Sequence, residues 1–163
     1  KSLKVQEIIE WPAMIIDTET NKILNKKFHY YIKPRIHPIL TKFCTKLTGI
    51  TQNIVNNGKD ITEVVQLWNK FCIENKLVIL KNKMYIPNCL IITHGDWDLK
   101  QCWPTQKYIN NNIPQPFLFE SWLNIKDVYT SYYYNKGMKL DLKSLLHNLN
   151  IKHIGRHHSG IDD

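Results

Sequence analysis

Cys89-Leu90-Ile91-Ile92-Thr93 runs directly into His94-Gly95-Asp96-Trp97-Asp98-Leu99. The first five residues form a short apolar run bounded by turn-type residues, which predicts a buried strand. The next six set polar groups at the carboxyl end of that strand, and a helix is expected to follow toward Gln106. A strand that hands over to a helix is the repeating step of α/β folds, whose functional groups gather at the carboxyl ends of strands. Asp98 is therefore a candidate ligand for a hard cation, beside a glycine that frees the backbone. The alternative is that Asp96 or Asp98 only caps the following helix.

Toward the N-terminus, residues 7–16 are rich in β-branched and bulky apolar side chains and predict a strand. Residues 17–22 read as a polar turn. Phe28-His29-Tyr30-Tyr31-Ile32-Lys33 reads as a second strand closing at Pro34, and the two suggest a β-hairpin. Residues 40–47, stopped by Gly49, predict a short helix. Asp60-Ile61-Thr62-Glu63 has the form of a capping box, and Val64, Leu67, Trp68 and Phe71 follow at helical spacing. Toward the C-terminus, lysine-rich residues 76–87 are expected to form a surface connection and residues 110–116 a loop. Trp122-Leu123-Asn124-Ile125 predicts another buried strand. Residues 141–149 predict an amphipathic helix capped by Asp141, with Leu142, Leu145, Leu146 and Leu149 on one stripe. Strands interleaved with helices indicate an α/β domain with a mixed sheet, and residues 1–163 read as a single domain.

The chain has 163 residues, 43% of them hydrophobic, enough for a core. Its net charge of +8 fits either a solvated lysine surface or a polyanionic partner, of which nucleic acid is the commonest. No apolar run is long enough for a membrane span, and no secretory leader pattern opens the sequence. Cys44, Cys72, Cys89 and Cys102 form no CxxC pair and no zinc-finger spacing. They read as reduced cysteines of an intracellular protein, cytoplasmic or nuclear.

His158 and Asp163 stand five apart in Gly155-Arg156-His157-His158-Ser159-Gly160-Ile161-Asp162-Asp163. If Gly160 opens a helix, Asp163 falls in its first turn and His158 on the loop before it. The pair could then share a site, with Asp163 holding a metal and His158 taking a proton from water. The plainer alternative is two aspartates favoured at a helix N-terminus and two loop histidines. A zinc site from His94, Asp96, His157 and His158 matches no zinc spacing. Asp17-Thr18-Glu19 imitates a metal-gripping D-x-E pair, but the next strand arrives so soon that a hairpin turn is the better reading.

Taken in order, five stretches resemble the DEDDh 3′–5′ exonucleases of RNase H-like fold, and among them the ERI-type, histone-mRNA-exonuclease-like subgroup. They are Glu7-Ile8-Ile9-Glu10-Trp11-Pro12, residues 28–34, Phe43-Cys44-Thr45-Lys46-Leu47-Thr48-Gly49-Ile50-Thr51, Gly95-Asp96-Trp97-Asp98-Leu99, and the closing segment with its H-x4-D core. The resemblance implies an RNase H-like mixed sheet flanked by helices, in one exonuclease domain truncated at both ends. It implies that Asp98 and Asp163 ligate Mg²⁺ or Mn²⁺, two ions about 4 Å apart, and that His158 is the general base. Trp97, Phe43 and Thr48 would bind substrate around the terminal nucleotide. For Trp97 and Phe43 the alternative is core packing. The implied substrate is single-stranded RNA, with DNA a second option, and no membrane is involved. The family's first motif, D-x-E, belongs on a strand before Glu7. Three readings cover its absence: a fragment of a longer protein, an inactive relative, or Asp17 and Glu19 as the true motif. The fragment is the favoured one. The competing function is a catalytically inactive nucleic-acid-binding module of the same fold. A zinc-stabilised interaction domain ranks third.

Overall fold

The computed structural model describes residues 6–111, 113–133 and 140–162, so Asp163 lies outside the described residues. The chain divides into two compact units. One runs to Trp68 and also takes in the closing segment from Gly155; the other is Asn69–Ile154.

In the first unit, β1 (Glu10–Asp17) and β2 (Lys22–Tyr31) form the expected antiparallel hairpin. Pairing runs from Glu10↔Tyr31 to Met14↔Lys27 and then shifts so that Ile16 meets Ile23. The surplus residues lie on β2, which makes the irregularity a bulge in that strand. The turn is closed by the Asp17 carboxylate, which accepts from the Thr20 hydroxyl at 2.7 Å and the Glu19 amide at 2.9 Å. These two bonds hold the Asp17 carboxyl below its ordinary value. Asp17 and Glu19 thus belong to an Asx-type hairpin turn.

Trp11 lies opposite Tyr30 and diagonal to Phe28. The diagonal brings the Trp11 and Phe28 rings edge-on at 5.9 Å. Helix α3 (Ile61–Glu74) adds Trp68, 5.5 Å from Trp11 and 5.2 Å from Phe28. Ile61, Val64, Val65 and Trp68 are all buried, so an apolar stripe seats this helix on the hairpin. Only half of the expected capping box takes that form. Asp60 accepts from the Thr62 amide at 2.8 Å, while Glu63 meets the Lys59 ammonium.

Helix α1 (Lys42–Thr48) is capped by the Thr41 hydroxyl, which accepts from the Cys44 amide at 3.1 Å. It stops at Gly49, whose amide donates to the Thr45 carbonyl at 2.9 Å. A second short helix, α2 (Gln52–Asn56), was not expected from the sequence; Thr51 caps it. The loop leading to α1 is held by Glu7, which accepts from the amides of Arg35, Ile36 and His37 at 2.7, 2.9 and 2.9 Å.

In the second unit, residues 76–87 are not a plain surface connection. They form a hairpin of β3 (Val78–Lys81) and β4 (Met84–Pro87), with Lys81 opposite Met84. Asn82 and Lys83 both take positive φ, 51° and 64°, as a two-residue hairpin turn of type I′ requires. The lysines that suggested a solvated loop lie on exposed strand and turn positions.

Strands β5 (Ile91–Thr93) and β6 (Trp122–Asn124) pair in parallel. Both were expected to be longer and buried. Cys89 and Leu90 are exposed and Ile92 is 51% exposed, so an apolar run was mistaken for a strand covered on both faces. Ile125 does not extend β6 but opens α5 (Ile125–Tyr132), because the Asn124 side chain accepts from the Lys126 amide at 3.1 Å and caps that helix. Between the two strands run a π-helical turn, Asp98–Cys102, and α4 (Trp103–Ile109). Buried Trp103 meets Phe119 edge-on at 5.5 Å. Helix α6 (Leu142–Asn148) is capped as expected, with Asp141 accepting from the Ser144 amide at 2.8 Å.

Candidate functional site

The parallel pairing of Thr93 with Asn124 places two strand ends side by side. The Asn124 side-chain oxygen accepts from the Gly95 amide at 2.9 Å as well as from the Lys126 amide, tying the loop after β5 to the start of α5. In that loop the two aspartates separate in role. Both Asp96 oxygens are engaged, one by Lys100 Nζ at 2.8 Å and the other by Trp122 Nε1 at 2.9 Å. These two bonds hold its carboxyl below the ordinary value. Asp96 is thereby a structural brace.

Asp98 opens the π-helical turn and makes no ion pair among the described residues. Its residue surface is exposed, yet desolvation by the surrounding protein pushes its carboxyl above the ordinary value. π-Helical turns are frequently found at functional positions. An oxygen donor whose charge is left uncompensated fits a hard divalent cation, which would supply the missing positive charge. The neighbouring Cys102 thiol is pushed up, first by burial and then by the Asp98 charge, which favours its neutral form in the metal-free protein. Trp97 is 59% exposed, so the core-packing alternative does not hold for it.

The closing segment belongs to the first unit and lies against β1. The Gly160 amide donates to Glu10 Oε2 at 3.2 Å, and Glu10 Oε1 meets His29 Nε2 at 2.8 Å. A Cβ on Gly160 would come within 2.9 Å of Pro12 and 3.0 Å of Glu10, so only glycine allows this approach. The Arg156 amide donates to Asp162 Oδ2 at 3.0 Å, and its guanidinium donates to the Lys46 carbonyl at the end of α1. His158 is exposed and takes a positive φ of 67°, a strained conformation for a histidine. Residues 155–162 form successive turns rather than a helix: Ser159 donates to Arg156 O and Asp162 to Ser159 O. The helix expected at Gly160 is not present among the described residues.

On α1, Phe43 is 73% exposed, so its core-packing alternative does not hold either. The half-buried Thr48 hydroxyl donates to the Cys44 carbonyl at 2.9 Å and accepts from the Ile50 amide at 3.1 Å, which gives it a structural task. Phe43, Thr48 and His158 thus share the first unit, with Arg156 joining the His158 segment to α1. Trp97 and Asp98 lie in the second unit, and Asp163 is outside the described residues. The described residues hold no group of three or more His, Cys, Asp and Glu side chains suited to a metal, which removes support for the zinc reading. Sequence reasoning overlooked Glu10 and Asn124. Glu10 sits among apolar strand residues, where a carboxylate needs a partner. Asn124 precedes Ile125-Lys126-Asp127, a helix-start pattern.

A family model described as an exonuclease, RNase T, matches residues 2–163. The chain is 37% identical over 161 residues to human ERI1 exoribonuclease 3, covering 97% of this chain and 44% of that protein. It is 32% identical over 163 residues to the 3′–5′ exonuclease Snipper of Drosophila melanogaster, covering 96% of this chain and 57% of that one. The chain therefore spans about half the length of these curated relatives. Among solved structures, the nuclease domain of 3′hExo, a DEDDh family member bound to rAMP, superposes with a TM-score of 0.83 at 28% identity, over 98% of this chain and 76% of that one. A match along nearly the whole chain and the likeness to the solved nuclease domain agree: this chain has the RNase H-like fold and belongs to the RNase T/DEDDh family of 3′–5′ exonucleases.

Proposed function

We propose that residues 1–163 contribute a single exonuclease domain that hydrolyses single-stranded RNA from its 3′ end with Mg²⁺ or Mn²⁺. The observation that carries this reading is Asp98: a carboxylate opening the π-helical turn that follows parallel strand β5, raised by desolvation and without a cationic partner among the described residues. Asp98 and Asp163 are the proposed ligands. Two divalent ions bound there would polarise the attacked phosphate and stabilise charge on the leaving 3′ oxygen. His158 accepts the proton of the attacking water, a task an imidazole nitrogen can perform. Its exposure leaves the ring accessible to water and substrate. Trp97 and Phe43 are both exposed, and each ring is of the kind that stacks on a nucleic-acid base. Thr48 acts by shaping the end of α1 through its bonds to Cys44 and Ile50.

RNA is favoured over DNA because the relatives named above include an exoribonuclease and a nuclease domain bound to a ribonucleotide. No helix among the described residues is long and apolar enough to cross a membrane, and no step of this reading needs one.

The test is hydrolysis of a 3′-labelled single strand by the full-length protein. Activity is expected with Mg²⁺ and none with chelator. His158→Ala should lower kcat by about 100-fold or more while leaving RNA affinity within a few-fold. Near-normal turnover in that variant would remove His158 as the base, and undiminished cleavage in chelator would remove the metal.

A further inference from the structure

We propose that Arg156 is a positioning residue, a strut that fixes the His158 segment to the end of α1 so that the base and the Phe43 helix are held as one body. The inference rests on the assignment of His158 as base. The contacts come from both ends of one side chain's residue. Its backbone amide is bound by Asp162 Oδ2 at 3.0 Å, inside the closing segment. Its guanidinium donates to the carbonyl of Lys46, in the last turn of α1. That carbonyl is one of those a helix leaves without an internal donor, and a cation there is favoured by the helix dipole.

The fit depends on Gly49. A Cβ on this residue would lie 3.0 Å from Arg156 Nη1 and 3.1 Å from Cζ and Nε, so the guanidinium packs across a bare Cα. Gly49 also has a φ of 81°, which L side chains rarely adopt. One glycine therefore ends the helix and opens the seat for the arginine. From that seat the chain runs only two residues to His158, whose own positive φ must be maintained by its surroundings. Arg156, with Asp162 on its amide and Gly160 locked against Glu10, supplies those surroundings.

A lysine could donate one bond to the Lys46 carbonyl but could not lay a planar group over Gly49. Arg156→Ala is expected to lower kcat about 10- to 100-fold, the scale of a base displaced by about an ångström. Arg156→Lys should recover part of kcat.

Amide hydrogen exchange on the full-length protein gives a second readout that needs no activity. In Arg156→Ala, peptides covering residues 46–50 and 155–162 should exchange faster together. Arg156→Lys serves the same measurement if the alanine variant does not fold. Wild-type kcat, or reduced kcat with exchange unchanged in both segments, overturns the proposal. If His158→Ala instead keeps its activity, the base assignment fails, and coupled exchange of the two segments still decides whether the strut exists.

Discussion

Asp98, the proposed metal ligand, carries its charge at a cost to folding in the metal-free protein. Desolvation raises its folded pKa above the ordinary 3.8, so the folded state holds the proton more tightly than the unfolded chain. The contribution to stability is therefore full below the unfolded value and is lost as pH rises through the folded one. At about pH 7 the metal-free protein carries this charge at a cost. Asp98→Asn is expected to raise Tm in chelator at neutral pH, with the difference closing as pH falls to about 3. Added Mg²⁺ should raise Tm of the wild type more than of the variant, since ligand binding stabilises the state that binds. Thermal melts in both buffers check this, and a variant less stable than wild type in chelator at neutral pH would refute it. Asp96, two residues away, follows the opposite logic: Lys100 and Trp122 already stabilise its charge, leaving little for a metal to add.

Elements with a strong local signal were legible in the sequence. The β1–β2 hairpin, α1 with its glycine stop, α3 and α6 all formed where residue pattern and capping chemistry agreed. The β3–β4 hairpin was missed because its turn, Asn82-Lys83, lacks the glycine that usually announces type I′ geometry. That departure makes a prediction. Lys83 holds a φ of 64° at the cost of crowding between its Cβ and the backbone. Lys83→Gly should therefore stabilise the protein by about 0.5 kcal/mol, the steric relief exceeding the added chain entropy. Urea denaturation measures it, and a destabilised variant would contradict the assigned turn. The short strands β5 and β6 were overestimated in length and burial because apolar runs do not report how many faces a neighbour covers.

For the whole molecule, a net charge of +8 fits the RNA substrate proposed for it. Neutralised phosphates release counterions, so RNA affinity should fall linearly on a log–log plot of salt. Raising salt from about 50 to 200 mM is expected to weaken binding by at least about tenfold, measured in chelator to suppress cleavage. A flat salt response would mean that the lysines are solvated surface and not a binding face. The sequence alone determined the α/β class and, through the order of its segments and their side chains, the family. It did so because those depend on local periodicity and on side-chain chemistry. Tertiary structure alone decided that Asp96 is a brace while Asp98 has no cationic partner among the described residues, that Phe43 and Trp97 are exposed, and that Arg156 reaches back to α1. Each of these turns on a partner far away in the chain, such as Trp122 for Asp96 and Lys46 for Arg156, and no spacing rule along the sequence encodes such a meeting.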